Sequence, residues 1–183
     1  YCSVFAWPES KAVFVPFHTD ERLLTDSAQT SDEPYIIAAG RSYRDYQVLA
    51  DAVAGSGIRT IVISGSGGAG ITKLPAEVEV HKEVPFSELV RLLRAARVVI
   101  LPLQDRRISI GQSVLLQAMA LGKPVIATRT SGTVDYVSDG RTGVLVGPGD
   151  SEELSRAIHH LWDDPVLRAK LGDQARAQVA TNH

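Results

Sequence analysis

A single cysteine, Cys2, occurs in 183 residues. One thiol makes neither an internal disulfide nor a cysteine metal cluster, and its solitude fits a reducing compartment. Long apolar runs are also missing, with nothing near the roughly 18 residues that read as a membrane-spanning helix. Positive charge is not in excess: 19 Lys and Arg stand against 21 Asp and Glu, a net charge of −2. Proteins held to nucleic acid by phosphate contacts are usually basic, so no nucleic-acid partner is expected. There is no P-loop and no Gly-x-Ser-x-Gly elbow. His18, His81, His159, His160 and His183 show no ligand spacing, and no metal site is expected. Met119 is the only methionine and the chain starts at Tyr1. The first residues lack the charged head and apolar core of a signal peptide. The chain therefore reads as a piece of a longer protein, with part of any active site outside it.

What is present is an alternation of short apolar runs and amphipathic stretches. The runs are Tyr35–Ala39, Thr60–Ser64, Val78–His81, Val98–Leu103, Pro124–Thr128 and Gly143–Val146. Their Val and Ile content and their Gly or polar boundaries suit strands buried on both faces. Between them, Phe86, Leu89, Val90, Leu93 and Ala96 recur at helical spacing, with Ser87 as the expected N-cap. Gln112–Leu121 is almost wholly apolar and reads as a buried helix. Asp150-Ser-Glu-Glu153 has the form of a capping box, and Asp164-Pro165 opens a second C-terminal helix. Buried strands alternating with helices predict a parallel, doubly wound α/β sheet. Val13–Phe17 is a further strand candidate. Residues 1–33 are read as a lead-in from a preceding domain, and 34–183 as the domain itself.

In such sheets, ligands bind outside the carboxyl ends of the strands. Arginines gather in the loops expected there: Arg41, Arg44, Arg106, Arg107 and Arg129. Glycines beside helix starts let backbone N–H groups approach an anion, so a phosphate-bearing ligand is the natural inference. Gly65-Ser-Gly-Gly-Ala-Gly70 matches G-x-G-x-x-G after a strand, but Ile71-Thr-Lys-Leu-Pro75 opens no helix. Dinucleotide binding is not expected from it.

Four ordered segments carry a resemblance over roughly residues 34–180. They are the Gly40-Arg41 turn, Ala95–Leu103, Gly111–Thr128, and Val134–Val146 continuing through Pro148-Gly-Asp150. Together they resemble the C-terminal, donor-binding domain of a family 4-like (group 1) GT-B glycosyltransferase. The resemblance implies a Rossmann-like domain that holds a nucleotide-sugar in a cleft against a missing N-terminal domain. It implies transfer with retained anomeric configuration, without a metal or other cofactor. The expected protein is cytoplasmic, and any contact with the inner membrane face runs through the missing domain.

By the same resemblance, Arg41 contacts the diphosphate and Arg44 stands nearest to the family's lysine. Lys82-Glu-Val84 is similar to the segment that packs on the nucleobase. Gly111, Gln112 and Ser113 lie where helix N–H groups meet donor oxygens, and Gly40 and Gly65 border the same mouth. The family's two glutamates, one on the sugar and one on the ribose, correspond here to Ser109 and Gln117. That departure keeps two alternatives open: a nucleotide-sugar-binding module without turnover, and a nucleotide-sugar epimerase of related fold.

Overall fold

A computed structural model describes residues 17–25, 32–106 and 108–182. Cys2, Arg107 and all of the Val13–Phe17 run except Phe17 lie outside the described residues. The elements in chain order are α1 (Arg22–Thr25), β1 (Glu33–Ala39), α2 (Tyr46–Val53), β2 (Thr60–Ser64) and β3 (Val78–Lys82). There follow α3 (Phe86–Ala95), β4 (Ala96–Leu101), α4 (Gln112–Ala120), β5 (Val125–Thr128), β6 (Val144–Val146), α5 (Ser151–Asp163) and α6 (Pro165–Asn182).

The six strands form one parallel sheet in the order β3-β2-β1-β4-β5-β6. Both of its faces are covered. Alternate residues of β1 divide between them: Ile37 and Ala39 join α3 and α4, whereas Ile36 and Ala38 join α2 and α5. This two-sided burial explains runs that are apolar throughout, because neither face of the pleat meets water. No helix among the described residues is long and apolar enough to cross a membrane.

The helix starts separate what local signals decide from what they do not. Asp150 caps α5 by accepting from the Glu153 N–H at 2.8 Å, and Asp164 caps α6 by accepting from Leu167 N–H at 2.8 Å. The return half of the expected capping box is rerouted: the Glu153 carboxylate accepts from the N–H of Gly147, tying down the preceding turn. Ser87 is not the cap of α3. The helix begins two residues earlier, with Pro85 in extended conformation as N-cap and no side-chain cap. Proline's fixed φ already sets the entry, so the serine is left exposed in the first turn. Strand β4 starts directly after α3 and ends at Leu101, before Pro102, which has no N–H to continue a ladder.

The described part of the lead-in packs on this body. Leu23 belongs to the core, Phe17 N–H donates to the Tyr136 hydroxyl at 3.1 Å, and Glu33 is already in β1. Asp32 accepts from the buried Arg168 at 2.7 Å.

At the lower end of the sheet Lys123 is 5% exposed, and its Nζ donates to the Arg94 carbonyl at 3.0 Å, closing the end of α3. Burial pushes its pKa down to about 8; Asp32 opposes that shift and Arg168 adds to it. The folded chain releases this proton near pH 8, whereas an unfolded chain holds it to about pH 10.5. Between those values the unfolded state binds more protons, so stability rises with pH. Relative to Lys123→Met, the wild type should gain on the order of 3 kcal/mol from pH 7.5 to 10.5 in urea denaturation. A pH-independent difference between the two would contradict this.

Candidate functional site

Strand order reverses between β1 and β4, and connections leaving these strands run to opposite faces of the sheet. A crevice opens at such a point. Here it is a cleft of about 450 Å³ over the carboxyl ends of β1 and β2, bordered by the loop after β3 and the start of α4.

One wall is the turn Gly40–Asp45. Asp45 caps α2 by accepting from Val48 N–H at 3.2 Å. The Tyr46 hydroxyl lies beneath, 2.8 Å from the Gly40 carbonyl and 3.0 Å from that of Ile63, and pins the ends of β1 and β2 together. Burial holds that phenol well above its ordinary range, so it remains a donor. The half-buried Arg44 donates through Nε to the Ala39 carbonyl at 3.0 Å and through a terminal nitrogen to Ser42 at 3.1 Å. Burial lowers its pKa, but a guanidinium stays charged. Arg44 thus braces the turn while its charge faces the cleft. Arg41 is exposed at the mouth, its aliphatic stem running along Gly65. A Cβ on Gly65 would lie 3.1 Å from Arg41 Cγ, so this glycine makes room for the arginine.

The opposite wall is the start of α4. Gly111 precedes it with φ +91°, and a Cβ there would press within 3.1 Å of Leu101 and 3.3 Å of Leu103. The first bond along this helix runs from Leu115 N–H to the Gly111 carbonyl. The N–H groups of Gln112, Ser113 and Val114 therefore carry the unpartnered donors of a helix start, and all three residues line the cleft. No side chain among the described residues caps them. The Gln112 amide is occupied elsewhere, donating to Ser109 Oγ and, at 3.1 Å, to the Gly132 carbonyl. Its side chain clamps the loop after β4, leaving its backbone to the cleft. On the next turn, Gln117 Oε1 is buried without a hydrogen-bond partner among the described residues, as is Ser64 Oγ at the end of β2. Both residues line the cleft. Orphaned polar atoms in one cavity mark it as built for polar contacts.

Gly40, Arg41, Arg44, Val84, Ser109, Gly111, Gln112, Ser113 and Gln117 are thus brought together. Gly65 and Lys82 stand behind this lining, with Lys82 directed along the loop at Gly68. Arg106 stacks 5.8 Å from the Tyr43 ring, and Arg129 pairs with Asp139 at 2.6 Å; neither lines the cleft. Ser42 and Ser64 line it without having been singled out in the sequence, and Glu83 lines it as the middle residue of the Lys82-Glu-Val84 segment.

Sheet, switch point and cleft define a Rossmann-like domain with an anion-complementary crevice. The chain belongs to the family described as glycosyl transferases group 1, whose model matches residues 33–164. The D-inositol 3-phosphate glycosyltransferase of Corynebacterium glutamicum (strain R) is 31% identical over 157 residues, 76% of this chain and 37% of that protein. Among solved structures, sucrose-phosphate synthase from Thermosynechococcus elongatus superposes with TM-score 0.71 at 23% identity, over 91% of this chain and 45% of that one. Anabaena HepE in complex with UDP-glucose gives 0.68 at 22% identity, over 82% and 45%. The C-terminal domain of the group 1 glycosyl transferase LpcC from Francisella tularensis gives 0.64 at 19% identity, over 92% and 95%. These likenesses establish the GT-B type of fold. The chain spans 22% to 37% of the length of the D-inositol 3-phosphate glycosyltransferases it matches.

Proposed function

We propose that this chain is the donor-binding half of a retaining, metal-independent glycosyltransferase, which moves a sugar from a nucleoside-diphosphate carrier to an acceptor held by a second domain. The observation that carries this reading is the open N-terminus of α4 facing Arg41 across one cleft. As the bond from sugar to diphosphate breaks, negative charge grows on the leaving phosphate oxygens. Arg41 and the N–H groups of residues 112–114 are preorganised donors for that charge, and Arg44 adds a fixed positive charge behind them. This is the neutralisation that a divalent ion supplies in other phosphate sites. The Gln117 oxygen accepts from a ribose hydroxyl, and Ser109 faces the sugar end. The HepE complex with UDP-glucose supports a ligand of this class on this fold.

The test uses the whole protein with its second domain, a nucleoside-diphosphate sugar and a chelator. Continued release of diphosphate in the chelator, with the product keeping the donor's anomeric configuration by NMR, supports the reading. Activity that vanishes and returns with a divalent ion, or an inverted product, contradicts it. Neutral residues at both 109 and 117 favour a second reading, a nucleotide-sugar-binding module without turnover. Binding without release of diphosphate from any donor would select it.

A further inference from the structure

The start of α4 follows β4, three strands along the sheet from the end of β3, and beyond β3 the lining carries its one carboxylate, the exposed Glu83; Arg41 and Arg44 follow β1, between the two. Glu83 forms no ion pair with either arginine, and its carboxylate takes no hydrogen bond among the described residues. Its backbone N–H continues the sheet by donating to the Ser64 carbonyl at 3.1 Å, which fixes the residue at the end of β3. Its φ is +51°, a left-handed conformation uncommon for a residue with a side chain. Glycine would sit there at lower cost, yet the position bears an unpaired acid. Val84 and Leu89, both partly buried, line the cleft beside it.

A nucleoside diphosphate whose phosphates sit at the start of α4 and whose base extends along the cleft toward β3 would bring that base to this carboxylate, with Val84 and Leu89 available to its flat face. An ionised carboxylate only accepts hydrogen bonds, so the base edge it meets must donate. Guanine offers two adjacent donors, N1–H and the 2-amino group, spaced for both carboxylate oxygens. Uracil offers one N–H between two carbonyl oxygens that repel the acid. Adenine and hypoxanthine each offer a single donor on that edge. We propose that Glu83 is a specificity-determining residue that selects guanine, so that the donor is a guanosine-diphosphate sugar. This rests on the donor-domain reading above and adds the base to it.

The test is calorimetric titration of the chain with GDP, IDP, UDP and ADP, with inorganic pyrophosphate as the base-free probe. Each is measured on the wild type, Glu83→Gln and Glu83→Gly. Wild type should bind GDP about tenfold or more tighter than the other three, as a bidentate base contact provides. IDP, which lacks only the 2-amino group, should fall with the weak binders. Glu83→Gln should bring the four within about threefold of one another. Glu83→Gly suits the left-handed backbone, keeps the fold and should show the same loss of preference. UDP or ADP binding as tightly as GDP, or a GDP preference that survives both substitutions, overturns the role of Glu83 and leaves the diphosphate site standing. Failure of every diphosphate and of pyrophosphate to bind overturns the donor-domain reading and this inference with it.

Discussion

Alanine at position 172 is expected to destabilise the chain by about 3 kcal/mol or more in urea or thermal unfolding. A glycine-to-alanine change inside a helix ordinarily stabilises by up to about 1 kcal/mol, so the predicted sign is reversed. Gly172 lies within α6, where that helix passes over the turn that ends α4. A Cβ at 172 would overlap the carbonyl oxygen of Gly122 and sit 2.9 Å from its carbonyl carbon. The obstacle is backbone, and it cannot rotate away. That turn is held by Gly122 N–H to the Met119 carbonyl at 2.9 Å and Lys123 N–H to the Ala118 carbonyl at 3.0 Å. Relief of the clash would have to lift α6 from α4 and open the contacts of Ala175 and Val179, both fully buried. Gly67→Ala serves as the control. A Cβ there meets nothing within 4 Å, and stability should change by less than about 0.5 kcal/mol. Equal stability of wild type and Gly172→Ala would show that α6 is not seated on Gly122.

Arg41→Ala should weaken nucleoside-diphosphate binding by roughly tenfold to a hundredfold, the range of a charge-assisted hydrogen bond. Stability should be unchanged, because Arg41 is exposed and the described structure gives its guanidinium no protein partner. Arg44→Ala should behave differently. It removes the donors to the Ala39 and Ser42 carbonyls, so affinity and unfolding free energy should fall together. Arg41→Lys should recover only part of the affinity, since an ammonium restores charge without the planar fork. An Arg41→Ala variant that binds like wild type would remove this residue from the site, whatever its place at the cleft mouth.

Much of the fold was legible because its signals are local. Each apolar run from Tyr35–Ala39 to Gly143–Val146 became a strand, and Asp150 and Asp164 cap the helices they precede. Expectations failed where a distant or neighbouring residue had already done the work. Pro85 set the start of α3 before Ser87 was needed, and Glu153 found the Gly147 N–H in place of its own cap. The site shows the same division. Arg41, Gly111 and Ser113 follow strand ends and helix starts, and their positions follow from the order of elements. The work of Gln112 was hidden, because it depends on Gly132, twenty residues on. Gly65 reads as a border of the cleft mouth, and its neighbour is the Arg41 stem, which parallel pairing of β1 with β2 brings alongside. Lys82 and Glu83 are adjacent in sequence, and of the two the acid, left-handed just past the strand end, is the one that lines the cleft.

The most direct test of a diphosphate site between the β1 turn and α4 is an amide NMR titration of this chain with a nucleoside diphosphate. The largest shifts should fall on residues 40–42 and 111–114, saturate together, and disappear in Arg41→Ala. Shifts confined to the opposite end of the sheet, around Arg97 and Arg168, or none at millimolar ligand, would contradict the account.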